Sequence, residues 1–226
     1  MKISVVIPWR THPSRVRAFE AVINFYKTNF PEFEIIASDS LEENFNLAQA
    51  RNLGAKKAIK QGSDIIIFND ADFFVSSDSI QRAITFATNH NEIVAPYNLY
   101  HQHNNERETF TFLKRMDYRL NLGKRFTPPT ISAKDSLPRR LWPCSGCLIV
   151  PKEIFKDLGG FEEKIKGWGP EDTMLHRAYF EKYGKLFAYV SGMAHSTFND
   201  PTVRGDRPEN QYYKDLVDFK DKRKYL

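Results

Sequence analysis

Ile65-Ile66-Ile67-Phe68-Asn69-Asp70-Ala71-Asp72-Phe73-Phe74 is the stretch on which the fold turns. Residues 65–68 form a continuous apolar run, rich in β-branched side chains, of the kind a strand shows when both its faces are covered. Asp70 and Asp72 then fall where that strand leaves the carboxyl edge of its sheet, which is where open α/β sheets bind their ligands. Two carboxylates two residues apart offer hard oxygen ligands to Mg²⁺ or Mn²⁺, and such a cation neutralises a diphosphate. An Asp-x-Asp arises by chance about once in a chain of this length, so the neighbouring segments decide its meaning.

Those segments alternate between the two periods. Residues 2–7 read as a buried strand broken by Pro8. Val16, Phe19, Ile23, Tyr26 and Phe30 then recur at helical spacing, between start signals at Pro13 and Ser14 and a stop at Pro31. A strand over residues 33–37 ends at Ser38-Asp39-Ser40. A helix over residues 43–60 turns Phe45, Ala48, Asn52, Ala55 and Ile59 inward and stops at Gly62. After the aspartates, a helix over residues 79–88, opened by Ser77 or Asp78, precedes a strand over residues 92–97. The expected fold class is α/β, with a mostly parallel, doubly wound sheet in the first hundred residues and helices on both faces.

The middle of the chain, residues 99–140, is charged and irregular, with one expected helix over residues 109–122. Regularity returns with a strand at 147–150, a helix at 152–158 and the turn Gly159-Gly160-Phe161. Gly167-Trp168-Gly169-Pro170 leads into a helix that Gly184 stops, followed by a strand at 186–190. Residues 215–226 alternate acids and bases, as a solvated helix or frayed end does.

Composition narrows the classes. The chain has 226 residues, 41% of them hydrophobic, enough for a sizeable core, and no apolar stretch of membrane-spanning length. Residues 1–8 are too short and strand-like for a secretory signal, so the expected location is cytoplasmic. The net charge of +5 favours anionic partners. Cys144 and Cys147 form a Cys-x-x-Cys without the second ligand pair of a closed zinc site, and an apolar strand follows where a redox pair would open a helix. Two reduced, partly buried thiols are expected. His101 and His103 have metal spacing, but their asparagine-rich surroundings read as an exposed loop.

Taken in order, Ile7-Pro8-Trp9-Arg10, Phe45-Asn46-Leu47-Ala48 with Asn52-Leu53-Gly54, Asp70-Ala71-Asp72, Gly159-Gly160-Phe161, Gly167-Trp168-Gly169-Pro170-Glu171-Asp172 and His195 resemble galactosyltransferase-type enzymes of the GT-A fold. The likeness is to the β-1,4-galactosyltransferases and to related domains of bacterial chondroitin polymerases, and it covers the chain from Lys2 to about His195. It implies one GT-A domain over residues 1–226: a nucleotide-sugar-binding half (1–100), an acceptor and catalytic half (101–205) and a C-terminal tail (206–226). The implied activity is an inverting, divalent-metal-dependent hexosyltransferase that moves a sugar from a nucleotide diphosphate, UDP in the first instance, to an acceptor hydroxyl.

The resemblance also assigns roles. Pro8, Trp9, Arg10 and Asp39 match nucleotide contacts, Asp72 and His195 match metal ligands, and Asp70 matches a ribose or metal contact. Glu171 and Asp172 fall where acceptor and catalytic base meet, and Trp168 offers a flat face for a sugar ring. Leu47 occupies a position where the family has an arginine, with Arg51 one turn further along as the candidate replacement. Met193 precedes His195 by two residues, where the family spacing is three. Arg204, in the segment after His195, is a candidate phosphate contact in a loop that closes over the donor.

Physical chemistry bears on these roles independently. Pro170 suits a first helical position, which puts Glu171 and Asp172 in the first turn, where the helix dipole favours ionised carboxylates by about 0.3–1 kcal/mol each. That alone is a structural reason for acids there, just as Asp70 and Asp72 alone could be a turn and cap cluster. Basic residues Lys114, Arg115, Arg119, Lys124, Arg125, Arg139 and Arg140 raise the alternative of an anionic acceptor, DNA with a hydroxylated base or an acidic polysaccharide. A sugar nucleotidyltransferase would need a glycine-rich loop after the first strand, and residues 9–13 contain no glycine. A non-catalytic nucleotide-sugar binder is the remaining alternative, and the intact carboxylates weigh against it.

Overall fold

The computed structural model describes residues 1–121, 145–165 and 170–198. Its centre is a six-stranded sheet. β1 (Ile3–Pro8) lies between β2 (Glu34–Ser38) and β3 (Ile65–Asn69) and runs parallel to both. β7 (Cys147–Pro151) follows β3 antiparallel, β5 (Val94–Ala95) pairs with β7 antiparallel, and β8 (Ala188–Tyr189) closes the edge parallel to β5. Five strands therefore point one way and β7 alone opposes them. The expected mostly parallel sheet is found with this one reversal, which side-chain pattern does not encode. Val5, Val6, Ile7, Ile66, Ile67, Ile149 and Val150 are fully buried, as strands covered on both faces require.

Helices cover the sheet. α2 (Leu47–Lys60) packs on β1 and β2, α3 (Ser77–His90) on β5 and β7, and α5 (Lys152–Leu158) on β7. Gly54 sets the approach of α2: a Cβ there would lie 2.4 Å from Val6 Cγ1 and 2.6 Å from Ser38 Oγ. α2 starts at Leu47, capped by the Asn46 side chain, which accepts from Gln49 N at 3.0 Å. The predicted start at 43 fails for a specific reason, since the carbonyls of Ser40, Glu42 and Glu43 accept hydrogen bonds from Arg10 and hold the segment as a loop. α3 is opened by Ser76, whose hydroxyl accepts from Ser79 N, one residue before the predicted cap.

A second, three-stranded sheet was not foreseen. β9 (Met193–Ser196) lies between β4 (Phe73–Val75), antiparallel, and β6 (Leu99–Gln102), parallel. α4 (Glu106–Asn121) lies against α1 (Val16–Asn29) and lays Phe112 on Phe74 and on the ring of His195. α6 (Glu171–Tyr183) ends at Gly184, in the left-handed conformation at φ 64°, as read from the sequence. Among the described residues no helix is long and apolar enough to cross a membrane.

Candidate active site

The carboxyl edge of β2, β1 and β3 gathers most of the residues singled out from the sequence. Pro8 pairs with Ser38, and Trp9 N donates to Ser38 O at 2.8 Å, so the ends of β1 and β2 are held side by side. Trp9 stacks face to face on Phe19 of α1, with ring centroids 4.1 Å apart. Arg10 Nε donates to both carboxylate oxygens of Asp39, at 2.9 and 3.0 Å. The guanidinium thus joins the two predicted nucleotide contacts and organises the loop after β2.

At the end of β3 the chain turns sharply, and Asn69 shapes the turn. Its Nδ2 donates to the carbonyls of Asp70 and Phe73, and its Oδ1 accepts from the buried Tyr26 hydroxyl at 2.9 Å. Asp70 N donates to Gly146 O at 2.8 Å, tying the aspartates to the start of β7. Gly146 has φ 78°, and a Cβ there would sit 2.4 Å from the ring of Phe73. Cys147 is buried and free, and burial raises its thiol far above the usual range, so it stays a protonated, inert group. Cys144 lies outside the described residues.

Arg51 is the hub. It projects from the second turn of α2, almost fully buried, and its Nη2 donates to Asp70 Oδ1 at 2.6 Å while its Nη1 donates to Glu171 Oε1 at 2.6 Å. Its guanidinium lies over the Phe161 ring, 5.1 Å from the centroid. Asn52 beside it grips the turn that carries Phe161, accepting from Phe161 N and donating to Phe161 O, both at 2.9 Å. One helix therefore holds the aspartate turn and the start of α6 in a common cleft. Pro170 takes the N-cap position, one residue earlier than expected, and Glu171 and Asp172 begin the helix.

The electrostatics differ from the expectation that the helix dipole would leave these acids readily ionised. Burial pushes the Glu171 carboxyl up to about 8, against the pull of Arg51. Burial also raises Asp172, opposed by Arg51 and by the Thr173 N–H that donates to its Oδ1 at 2.6 Å. Burial alone would lower Arg51, but Asp70, Glu171 and Asp172 more than reverse it and hold the guanidinium charged. Among the described residues one cation faces these three carboxylates, so their full ionisation needs more positive charge than those residues supply. Glu171 Oε2 and Arg51 Nε are buried with no hydrogen-bond partner among the described residues.

The second sheet brings the backbone at Asp72 beside β9, the strand that carries His195. Thr197 N donates to Asp72 O at 3.0 Å, and Phe74 lies opposite His195 across β4 and β9. Both Asp72 and His195 are buried, so the structure places the two predicted metal ligands on adjoining backbones. A carboxylate oxygen and an imidazole nitrogen are a donor set that Mn²⁺ accepts and Mg²⁺ tolerates less well. His101 and His103 are corrected: both are buried, not in an exposed loop, because β6 pairs with β9 and α4 covers it. Burial pulls the His103 imidazole down to about 4. Trp168, Arg204, the remaining Gly167 and Gly169 of the tryptophan-glycine motif, and Arg139 and Arg140 lie outside the described residues.

The site contains residues that the sequence reading did not select. Asn69 and Tyr26 shape the aspartate turn, and Asn52, which looked like one polar member of an apolar stripe, anchors the turn before α6. An Asn on the inward stripe of a helix was the available signal, since buried polar side chains require partners.

The arrangement is the nucleotide-sugar transferase, or GT-A, architecture. Drosophila β1,4galactosyltransferase 7, solved with xylobiose, superimposes with a TM-score of 0.59 at 16% identity, over 92% of this chain and 75% of that one. A mutant of the same enzyme, solved with manganese, UDP-Gal and xylobiose, gives 0.58 at 15% identity, with the same coverage. S. aureus TarS residues 1–349, in complex with UDP-GlcNAc, gives 0.55 at 16% identity over 92% of this chain and 60% of that one. No curated protein matches by sequence. The family described as glycosyltransferase like family 2 matches residues 18–195, and the chain belongs to that family. It is a glycosyltransferase.

Proposed function

We propose that this glycosyltransferase is an inverting, divalent-metal-dependent enzyme that moves a hexose from a UDP-sugar to a carbohydrate hydroxyl. The observation that carries the reading is the Arg51 bridge, 2.6 Å to Asp70 on one side and 2.6 Å to Glu171 on the other. It puts the donor-side aspartates and the acceptor-side acids in one cleft. The uridine donor is favoured because the similar structures were solved with UDP-Gal and UDP-GlcNAc, and the carbohydrate acceptor because one holds xylobiose. The DNA alternative gains no comparable support.

Asp72 and His195 are the residues that would hold the cation, with Asp70 alongside. A bound Mn²⁺ or Mg²⁺ supplies charge that offsets the leaving diphosphate. Trp9, Arg10 and Asp39, with Pro8, form the wall against which the nucleotide lies; Trp168 and Arg204 are assigned to the sugar and the phosphates. Asp172 acts as the base. Its Oδ1 is held by Thr173, so Oδ2 is the atom offered to the acceptor. As the acceptor oxygen bonds to the anomeric carbon from the face opposite the diphosphate, its proton passes to Asp172 and the bond to the diphosphate breaks. The raised pKa suits this task, because a carboxylate whose pKa approaches the working pH accepts a proton more readily. Glu171, fixed by Arg51, orients the helix start beneath the acceptor.

Thermal shift tests the donor half. At a UDP-sugar concentration of about 100 Kd, binding to the native state adds roughly 2.7 kcal/mol, or about 5–11 °C in Tm for a chain of this size. The shift is expected only with Mn²⁺ present and is expected to vanish in Asp72→Ala. An equal shift without any divalent cation would overturn the metal assignment.

A further inference from the structure

Beneath α4 lies a cluster that the transfer reaction does not use. His101 and His103 stand two residues apart at the end of β6, and Glu108 comes from the first turn of α4. One ligand atom from each lies within 4.8 Å of the other two. We propose that His101, His103 and Glu108 form a structural site for a transition-metal dication of the zinc type, distinct from the donor cation at Asp72. The proposal does not rest on the assigned donor or acceptor.

Three observations support it. The first is the donor chemistry: two imidazoles and one carboxylate make a set that borderline dications such as Zn²⁺ take up readily. The second is that the far atoms of two of the ligands are already engaged, as an orienting shell requires. His103 Nδ1 lies 3.1 Å from Thr109 Oγ1, and Glu108 Oε2 accepts from Asn104 N at 2.8 Å, which leaves Glu108 Oε1 against His101 Nε2 and His103 Nε2 facing inward beside His195. The third is spacing. His101 Nε2 is 2.6 Å from Glu108 Oε1, and His103 Nε2 is 3.3 Å from His195 Nδ1. Two ligands on one tetrahedral zinc sit about 3.3 Å apart, given zinc–nitrogen bonds of roughly 2.0–2.1 Å. The three assigned ligands, within 4.8 Å of one another, thus need only small side-chain movements to close on a single ion.

The location gives such an ion a purpose. The His101–Glu108 contact joins β6 to α4, and the small sheet carries His195 and is tied to Asp72 O through Thr197 N. A cation joining His101 and His103 to Glu108 would clamp α4 onto β6 and fix the wall behind His195. His195 borders the cluster through Nδ1 and is not one of its three assigned ligands.

The test uses the full chain, stripped with a chelator and titrated with Zn²⁺ in competition with a chromogenic chelator. Wild type is expected to bind one tight equivalent, and Asp72→Ala is expected to keep it. Glu108→Gln should weaken it by more than ~100-fold, beyond the roughly 10–100-fold expected of the orienting-shell variant Thr109→Ala. X-ray absorption on zinc-loaded wild type needs no variant to fold: at least two imidazoles around the metal support the site. Failure of wild type to retain zinc, unchanged affinity in Glu108→Gln, or a single imidazole would overturn it. Loss of the same equivalent in Asp72→Ala would assign the ion to the donor cleft and leave the proposed reaction standing.

Discussion

Replacing Arg51 by methionine keeps the length and apolar stem of the side chain and deletes its charge. The substitution leaves the Glu171 carboxyl, 2% exposed, facing Asp70 and Asp172 with no cation between them. Breaking a buried ion pair by removing one partner costs about 3–5 kcal/mol; at neutral pH, with Glu171 largely protonated, the loss comes from the Asp70 pair and from the unsatisfied Glu171 oxygen. At roughly 2–4 °C per kcal/mol for a chain of this size, Tm should fall by about 6–20 °C at neutral pH. The sign of the pH dependence follows from Glu171, whose pKa is raised above its unfolded value by burial. The protonated carboxyl suits the fold and the ionised one opposes it, so this group favours folding at low pH and loses that contribution as pH rises through about 8. Without Arg51 the penalty for ionisation grows, so the deficit of Arg51→Met should shrink as the solution is acidified. Adding Glu171→Gln should restore part of the loss, since removing both partners of a buried pair costs less than removing one. Thermal melts from pH 5 to 8 read all of this. A Tm drop below about 2 °C at pH 7.5, or a deficit that grows on acidification, would refute the account of Arg51 as the tie between the two halves of the cleft.

Three further outcomes are expected. Asp172→Asn should retain Mn²⁺-dependent UDP-sugar binding and lose transfer by roughly 10²- to 10⁴-fold; near wild-type turnover would remove Asp172 from the role of base. In wild type the acid limb of the kcat profile should lie above the ordinary aspartate range, because burial raises Asp172 and only its ionised form accepts the proton; rate against pH in saturating donor measures it. Gly54→Ala should cost about 1–3 kcal/mol, as the new methyl presses on Val6 and Ser38, and melts against wild type would show it as roughly 2–12 °C.

The donor half was legible because its signals are long. Helices of 14 residues with a clear apolar stripe, and a strand of unbroken β-branched residues, leave periodicities that survive any detail of packing. Asp70 and Asp72 were placed correctly at the sheet edge for the same reason. The small sheet escaped because β4, β6 and β9 have only three or four residues each, too few for alternation to be seen. His101 and His103 were consequently assigned to solvent, when a strand pairing nearly a hundred residues distant buries them. At the start of α6 the dipole of one helix is a smaller effect than removal from water beside other carboxylates, which raises both Glu171 and Asp172. Arg51 was named only as a stand-in for a missing arginine. That it grips both Asp70 and Glu171 depends on the approach of two turns, which no single segment encodes.

The grip of Arg51 on Glu171 spans 120 positions of chain. During synthesis, at about 5–20 residues per second, the guanidinium leaves the ribosome roughly 6–24 s before its second carboxylate exists. For that interval the nascent β1–β3 unit carries a basic group satisfied on one side only. The cleft therefore cannot close before α6 begins, and any chain released before residue 171 should emerge with Arg51 paired to Asp70 alone.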